Sequence, residues 1–328
     1  MTSPCPSPIT VRGYESGDEE QILAAFNRAF AAADPGFEPR SLAAWRWRFL
    51  ENPAGRRIRL ALDGRGAVVA QFAGLPQRAL LDGEPAVFTQ AVDSLAAPRA
   101  DLGRSPFVRA GERFRDDFRG DAWMWGYPER AALRIGRRCL GYERVRAQTA
   151  LRGEPHRLEP GRAGAGVEVE ETTGFPAAVD GLFARVGARQ RAIAVRDAET
   201  LDWRFARHPE HDYALGLARA AGRLAGYAVC RPGRFDGESA TLVCDWLAEP
   251  AAAPALVAWL AARARAGGSA PLLALFPPWS PEWARFQEAG FRVVPTRRTL
   301  VGKSFARGRD ARWFARHWYV TLGDSDLC

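Results

Sequence analysis

At 328 residues, 47% hydrophobic and 26% charged, the chain has the length for two domains, each with its own core. No apolar run reaches the ~18 residues of a membrane span, and residues 1–8 lack a basic segment followed by an apolar core, so neither membrane insertion nor a secretory signal is expected. The net charge is +8, carried almost wholly by arginine with Lys303 the only lysine, but these arginines interleave with Asp and Glu and form no aromatic-studded basic block, which argues against nucleic acid as the partner.

Residues 1–8 read as a disordered tail. Residues 9–14 alternate as a strand does, and Ser16-Gly17-Asp18-Glu19-Glu20 then supplies capping and first-turn carboxylates for a helix. Ile22, Leu23, Phe26 and Phe30 follow at helical spacing. A second helix is expected over 41–50, carrying Trp45, Trp47 and Phe49. Strands are expected over 58–62, 67–73 and 85–95, the last two joined at Asp82-Gly83-Glu84. A helix then begins near Phe107, a buried strand covers 122–127, and Pro128 breaks it. A helix over 129–140 leads to Gly141-Tyr142 and a last strand through Val145. Residues 152–166, rich in Gly, Pro and charge without a period, read as linker.

The second half repeats the first. Trp47-Arg48-Phe49 with Pro53 returns as Trp203-Arg204-Phe205 with Pro209 at an offset of 156, and Pro76 meets Pro232 at the same offset. Asp82-Gly83-Glu84 matches Asp236-Gly237-Glu238 at 154, and Asp93-x-Leu95-Ala96-x-Pro98 matches Asp245-x-Leu247-Ala248-x-Pro250 at 152. Tyr127-Pro128 with Gly141-Tyr142 matches Phe276-Pro277 with Gly290-Phe291 at 149. Five matches in one order, with a steadily falling offset, mark a duplication. The expected division is an N-terminal domain over 9–150, a linker over 151–166, a C-terminal domain over 167–303 and a tail over 304–328.

Between Asp93 and Ser105 a buried strand stops at Pro98 and opens, through a basic glycine-containing loop, into a helix. A helix start leaves backbone N–H groups unpaired and adds positive dipole potential, so this stretch is a candidate phosphate site; the alternative is an ordinary strand-to-helix turn. The second copy has Ala251-Ala252-Ala253-Pro254-Ala255-Leu256 there, without glycine or arginine, and is expected to have lost any such site.

A strand with Asp five residues before a Pro, a basic glycine-containing loop, a helix, a strand, a helix and a Gly-aromatic pair together resemble the GNAT acyltransferases. The duplication resembles the tandem GNAT-like bacterial proteins, over 9–150 and 167–303. The resemblance implies an α/β (α+β) fold of two GNAT-like domains, each a mixed, mostly antiparallel twisted sheet flanked by helices. It implies acetyl-CoA or another acyl-CoA as co-substrate, its pantetheine arm lying as an added strand along Ser94, Leu95 and Ala96, where the fourth strand splays from the fifth. It places the phosphates on Arg99, Gly103, Arg104 and Ser105, with Tyr127 facing the same gap. Where the family loop carries x-x-Arg-Gly-x-Gly after its proline, this chain has Asp101, Leu102 and Arg104, with a glycine displaced to Gly103. The family's general-acid tyrosine, four residues before the Gly-aromatic pair, is Arg137 here and Phe286 in the second copy. Neither donates a proton near neutral pH, so Tyr127 is the candidate acid.

Asp93 is a candidate general base for an amine nucleophile, directly or through water, while its repeat partner Asp245 favours a structural role common to both. In the tail, Trp318, Val320 and Leu322 alternate as in a strand, and Gly323-Asp324-Ser325-Asp326 turns polar. Asp324 and Asp326 are candidates for delivery into a cleft, against the alternative of a solvated acidic end. His208-x-x-His211 lacks the further ligands that zinc needs, so no metal is expected, and the five cysteines, without CxxC spacing, fit a reducing cytoplasm. The expected function is acyl transfer from acyl-CoA to the amine of a small polar acceptor. Two alternatives stand beside it: a GNAT-derived binding or structural protein, and a Fem-type peptidyl transferase using aminoacyl-tRNA.

Overall fold

The computed structural model describes residues 9–33, 36–97, 105–268 and 270–328. The first elements are β1 (Thr10–Gly13), α1 (Glu19–Ala33) and α2 (Leu42–Phe49). Asp18 ahead of α1 accepts the Arg12 guanidinium at 2.6 and 2.8 Å, and Ser41 caps α2 by accepting from Ala44 N at 3.1 Å. The meander follows as β2 (Arg57–Leu62), β3 (Val68–Leu81) and β4 (Glu84–Ala96). β3 runs well past the expected Ala73, because the chain turns only at Asp82-Gly83, where φ is 52° and 87° as in a tight two-residue hairpin. After α3 (Ser105–Asp117) and β5 (Trp123–Gly126), α4 (Arg130–Ile135) continues as one π turn over Gly136–Leu140. Gly141, with φ of 70°, ends it and admits β6 (Glu143–Gly153), which extends beyond the expected Val145.

The next elements are β7 (Val167–Thr172), α5 (Ala178–Val186), β8 (Ala192–Ala194) and α6 (Ala198–Leu201), the last continuing as a π turn over Asp202–Ala206. β9 (Ala214–Ala220), β10 (Arg223–Phe235) and β11 (Glu238–Ala248) form a second meander, turning at Asp236-Gly237 with φ of 50° and 95°. Then come α7 (Ala253–Ala266), β12 (Leu272–Ala274), α8 (Pro281–Glu288) and β13 (Arg292–Ser304). The tail departs from the strand expected of it. Asp310 caps α9 (Ala311–His317) by accepting from Trp313 N at 2.8 Å, and β14 is only Trp318–Tyr319. Beyond it the chain is buried rather than solvated through Ser325, because Asp324 is engaged by Thr321 and Arg196.

The described residues pack as two compact units that do not follow chain order. Unit 1 draws on Met1–Gln77, Val87–Arg144 and Val301–Gly308; unit 2 on Arg78–Ala86, Val145–Leu300 and Arg309–Cys328. In unit 1 the strand order is β1-β2-β3-β4-β5, closed by residues 301–304 of β13, which pair antiparallel with β5 from Val301↔Gly126 to Ser304↔Trp123. In unit 2 the order is β7-β9-β10-β11-β12-β6, with Leu272↔Gly153 antiparallel at the end. Each sheet is mixed, with one parallel pair, β4–β5 or β11–β12, beside antiparallel neighbours. In unit 2, β8 also joins β14 and the end of β3 in a small separate pairing.

Alternation along the strands of unit 1 builds two cores. Leu60, Ala73, Val92 and Leu95 pack with Ile22 and Phe26 of α1 and Trp45 and Phe49 of α2. Their sequence neighbours Ala61 and Phe72 face the other way, onto Phe107 and Phe114 of α3 with Met124 and Leu140. In unit 2 the largest buried side chains include Trp246, Phe276 and Phe286, whose rings meet at 4.9–5.1 Å between centroids. Among the described residues, no helix is long and apolar enough to cross a membrane.

Candidate functional site

The parallel ladder of β4 and β5 covers only Phe88↔Trp123, Thr89↔Met124 and Gln90↔Trp125, while β4 continues to Ala96. On its other side β4 stays attached: Ala97 N donates to Val69 O at 2.8 Å, and Gln71 Nε2 to Asp93 O at 2.9 Å. Residues 92–96, beyond the last close approach, therefore leave β5 while keeping their hold on β3. The strands come close just past the last pair, where a Cβ on Gly126 would lie 3.1 Å from Ala91 O. Tyr127 follows, half-buried, its ring edge-on to Trp125 at 5.9 Å.

Asp93 interrupts β4 with φ of 49°, the left-handed region. Its buried carboxylate is taken by Arg40, which leads into α2, and by Arg48 Nη1 at 3.3 Å. Burial alone would push this carboxyl up, but Arg40 and Arg48 outweigh it and hold it below the ordinary carboxylate value. Of its neighbours, Ser94 is half-buried with its hydroxyl 3.4 Å from Val92 O, Leu95 is in the α1/α2 core, and Ala96 is exposed. Ser105 opens α3, whereas Arg99, Gly103 and Arg104 lie outside the described residues. Arg137 and Arg138 are exposed on the π turn.

A related arrangement occurs in unit 2. Asp245 accepts from Arg196 Nε at 3.2 Å, Thr321 Oγ1 at 2.7 Å and Tyr227 Oη at 2.7 Å. Asp324 accepts from Arg196 Nη2 at 2.7 Å and Thr321 N at 2.8 Å. Burial and the nearby Asp245 push the Asp324 carboxyl up against the pull of Arg196. Asp326 is exposed. Of the residues singled out in the sequence, the structure therefore places Asp93, Ser94, Leu95 and Ala96 at the end of β4 and Tyr127 just past the end of β5, both in unit 1. Asp324 and Asp326 belong to unit 2. Sequence reasoning missed Arg40, Arg48 and Arg196 as carboxylate partners, although the offset of 156 that relates Trp47 to Trp203 also relates Arg40 to Arg196. His208 accepts from the backbone of Glu210 and His211 at 3.2 Å, and its ring stacks on that of His211 at 4.6 Å.

No protein-family model matches the chain, and no curated protein matches it. Solved structures do. A conserved protein of unknown function from Enterococcus faecalis V583, described as a probable N-acyltransferase, aligns at 13% identity over 94% of this chain and 74% of its own, with a TM-score of 0.66. A GCN5-related N-acetyltransferase from Anabaena variabilis aligns at 14% identity over 91% and 73%, with a TM-score of 0.66. Another from Kribbella flavida aligns at 18% identity over 93% and 73%, with a TM-score of 0.63. With mixed sheets in both units and this likeness across more than nine-tenths of its length, the chain has the two-domain fold of the GNAT-related N-acyltransferases.

Proposed function

We propose that unit 1 transfers an acyl group from acetyl-CoA or another acyl-CoA to the amine of a small polar acceptor. The observation that carries this reading is the parting of β4 from β5 after Gln90 and Trp125, with β4 continuing to Ala96. The pantetheine arm lies along Ser94, Leu95 and Ala96 as an added strand. Arg99, Gly103, Arg104 and Ser105 receive the phosphates at the start of α3. The acceptor amine attacks the thioester carbonyl, the C–S bond breaks, the Tyr127 hydroxyl gives its proton to the leaving thiolate, and the proton that the attacking nitrogen loses to solvent is balanced by one returning from solvent to Tyr127. The N-acyltransferase descriptions of the aligned structures support the same chemistry.

Asp93 is assigned a positioning role. Both its oxygens are committed to arginines, so it serves to lock the bend of β4 onto α2 rather than to take a proton. Asp324, held by Arg196, serves the architecture of unit 2 in the same way, and Asp326 is assigned no chemical step. The duplication read from the sequence is supported by the matching Arg–Asp pairs and Asp-Gly turns, and it assigns donor binding to the first copy. Calorimetry with acetyl-CoA and longer acyl-CoAs tests the reading, with Gly103→Trp and Arg104→Glu as variants. Binding by the wild type and its loss in the variants is expected; no heat from any acyl-CoA overturns the proposal.

A further inference from the structure

Unit 2 holds a cavity of about 550 Å³ against α7, well away from the end of β11 that corresponds to the proposed donor site. Its wall includes Tyr213, Arg231, Thr241, Arg263 and Ala270. The matching positions in unit 1 carry a hydrogen-bonded cluster. There Arg57 donates to both oxygens of Asp121, at 3.1 and 3.0 Å, and Thr89 Oγ1 donates to Asp121 Oδ2 at 2.6 Å. The Phe118 ring lies beneath Arg57 and Arg59, its centroid 4.9 and 4.6 Å from their guanidinium carbons.

The repeat offsets show what changed. At 156 Arg57 becomes Tyr213, at 152 Thr89 becomes Thr241, and at 149 Phe118 becomes Gly267 and Asp121 becomes Ala270. The second copy keeps hydroxyl groups at these positions and loses both the carboxylate and the aromatic ring of the first. Two polar atoms on this wall, Tyr213 Oη and Arg231 Nε, are buried and have no hydrogen-bond partner among the described residues. Leaving such groups unmatched is costly, so they point to a missing acceptor. Burial pushes the Tyr213 hydroxyl above its ordinary value, which keeps it a neutral O–H donor.

Charge selects the acceptor. Arg263 is matched by Glu171 at 3.5 Å, and Glu171 also accepts from Trp259 Nε1 at 3.0 Å. Arg231, stacked over Tyr213 at 5.8 Å, donates to Pro232 O and forms no ion pair among the described residues. Asp212, the other carboxylate of the lining, is exposed and forms no ion pair with Arg231 among the described residues. A guanidinium without an ion-pair partner beside two hydroxyls fits a monoanion with planar acceptor oxygens. Leu215, Pro232 and Ala266 supply an apolar wall for the rest of the molecule.

We propose that this cavity binds a small organic carboxylate, its carboxylate group standing where Asp121 stands in unit 1, between the Tyr213 and Thr241 hydroxyls and the Arg231 guanidinium. Calorimetry on the full chain with benzoate and hexanoate, and with benzamide and hexanamide as uncharged controls, tests it. One carboxylate or both should bind with unit stoichiometry, and the amides should not. Ala270→Asp restores the carboxylate of unit 1, so it should raise Tm in the absence of ligand and abolish carboxylate binding. Tyr213→Phe, which removes one oxygen, should weaken binding about tenfold and keeps the test valid if Ala270→Asp does not fold. Absence of binding by both acids, equal binding of the amides, or unchanged affinity in the variants overturns the proposal. Acetyl-CoA titrations of the same variants separate this outcome from the fate of the donor site in unit 1.

Discussion

Arg196 holds Asp324 at 2.7 Å, both side chains buried, and the same guanidinium reaches Asp245 at 3.2 Å. The first contact ties the turn at 322–324 to the segment following β8. The second has its counterpart in unit 1, where Arg40 and Arg48 share Asp93. In a low-dielectric interior such clamps are sensitive to the loss of either partner, because the one left behind has been removed from water without compensation.

Arg196→Met leaves Asp245 and Asp324 buried without their cation, and a loss of about 3–5 kcal/mol is expected in urea unfolding at neutral pH. Asp324→Asn should cost less, since the Arg196–Asp245 pair remains. The Asp324 carboxyl is raised by burial and by Asp245, so the native state binds its proton more tightly than the unfolded chain does. Its contribution to stability is therefore greatest in acid and falls as pH rises through the raised value. Stability curves against pH should show that fall in the wild type and not in Asp324→Asn.

Asp93→Asn should behave in the opposite sense. Arg40 and Arg48 hold this carboxyl below its ordinary value despite burial, so its contribution is complete above that value and is lost as pH falls through the depressed one. A cost of about 3–5 kcal/mol is expected at neutral pH. The gap between variant and wild type should narrow in acid below about pH 4, measured by urea midpoints across pH.

Gly302 lets the end of β13 close the sheet of unit 1 against Trp123. A Cβ at this position would fall 2.0 Å from Trp123 Cη2 and 2.2 Å from Cζ2, in a residue that is itself fully buried. Gly302→Ala should cost about 1–3 kcal/mol through overpacking. Gly120→Ala, where a Cβ meets nothing within 4 Å, is the control and should leave the unfolding midpoint unchanged.

Tyr127→Phe tests the proposed proton donor. The expected result is a fall in kcat of about 10²–10⁴ with loss of the alkaline limb of the pH profile. Affinity for acetyl-CoA by calorimetry should be retained. A variant with wild-type kcat would remove Tyr127 from the mechanism.

Much of this protein was legible in the sequence because its signals are local. Asp82-Gly83 and Asp236-Gly237 announce hairpins, since Gly takes positive φ freely and Asp tolerates it, and both pairs adopt it. The helix expected over 41–50 is there, capped by Ser41, and the alternation in β2 and β3 divides Leu60 from Ala61 and Ala73 from Phe72 between two cores. The matched Asp93 and Asp245, at a constant place in two strands, carried the repeat. Other features depend on residues far apart in the chain. Nothing near Asp93 says that Arg40 and Arg48 will take its oxygens, and nothing near Asp324 says that Arg196 will bury it. Strand periodicity cannot say which neighbour a strand chooses, so the pairing of 301–304 with β5 and of β6 with β12 was invisible. The cavity beside Tyr213 was hidden for the same reason. Gly267 and Ala270 are unremarked small residues until the fold sets them opposite Tyr213 and Thr241, because local propensity is settled within a turn of the chain, whereas ion pairs, strand partners and empty space are settled by which distant surfaces meet.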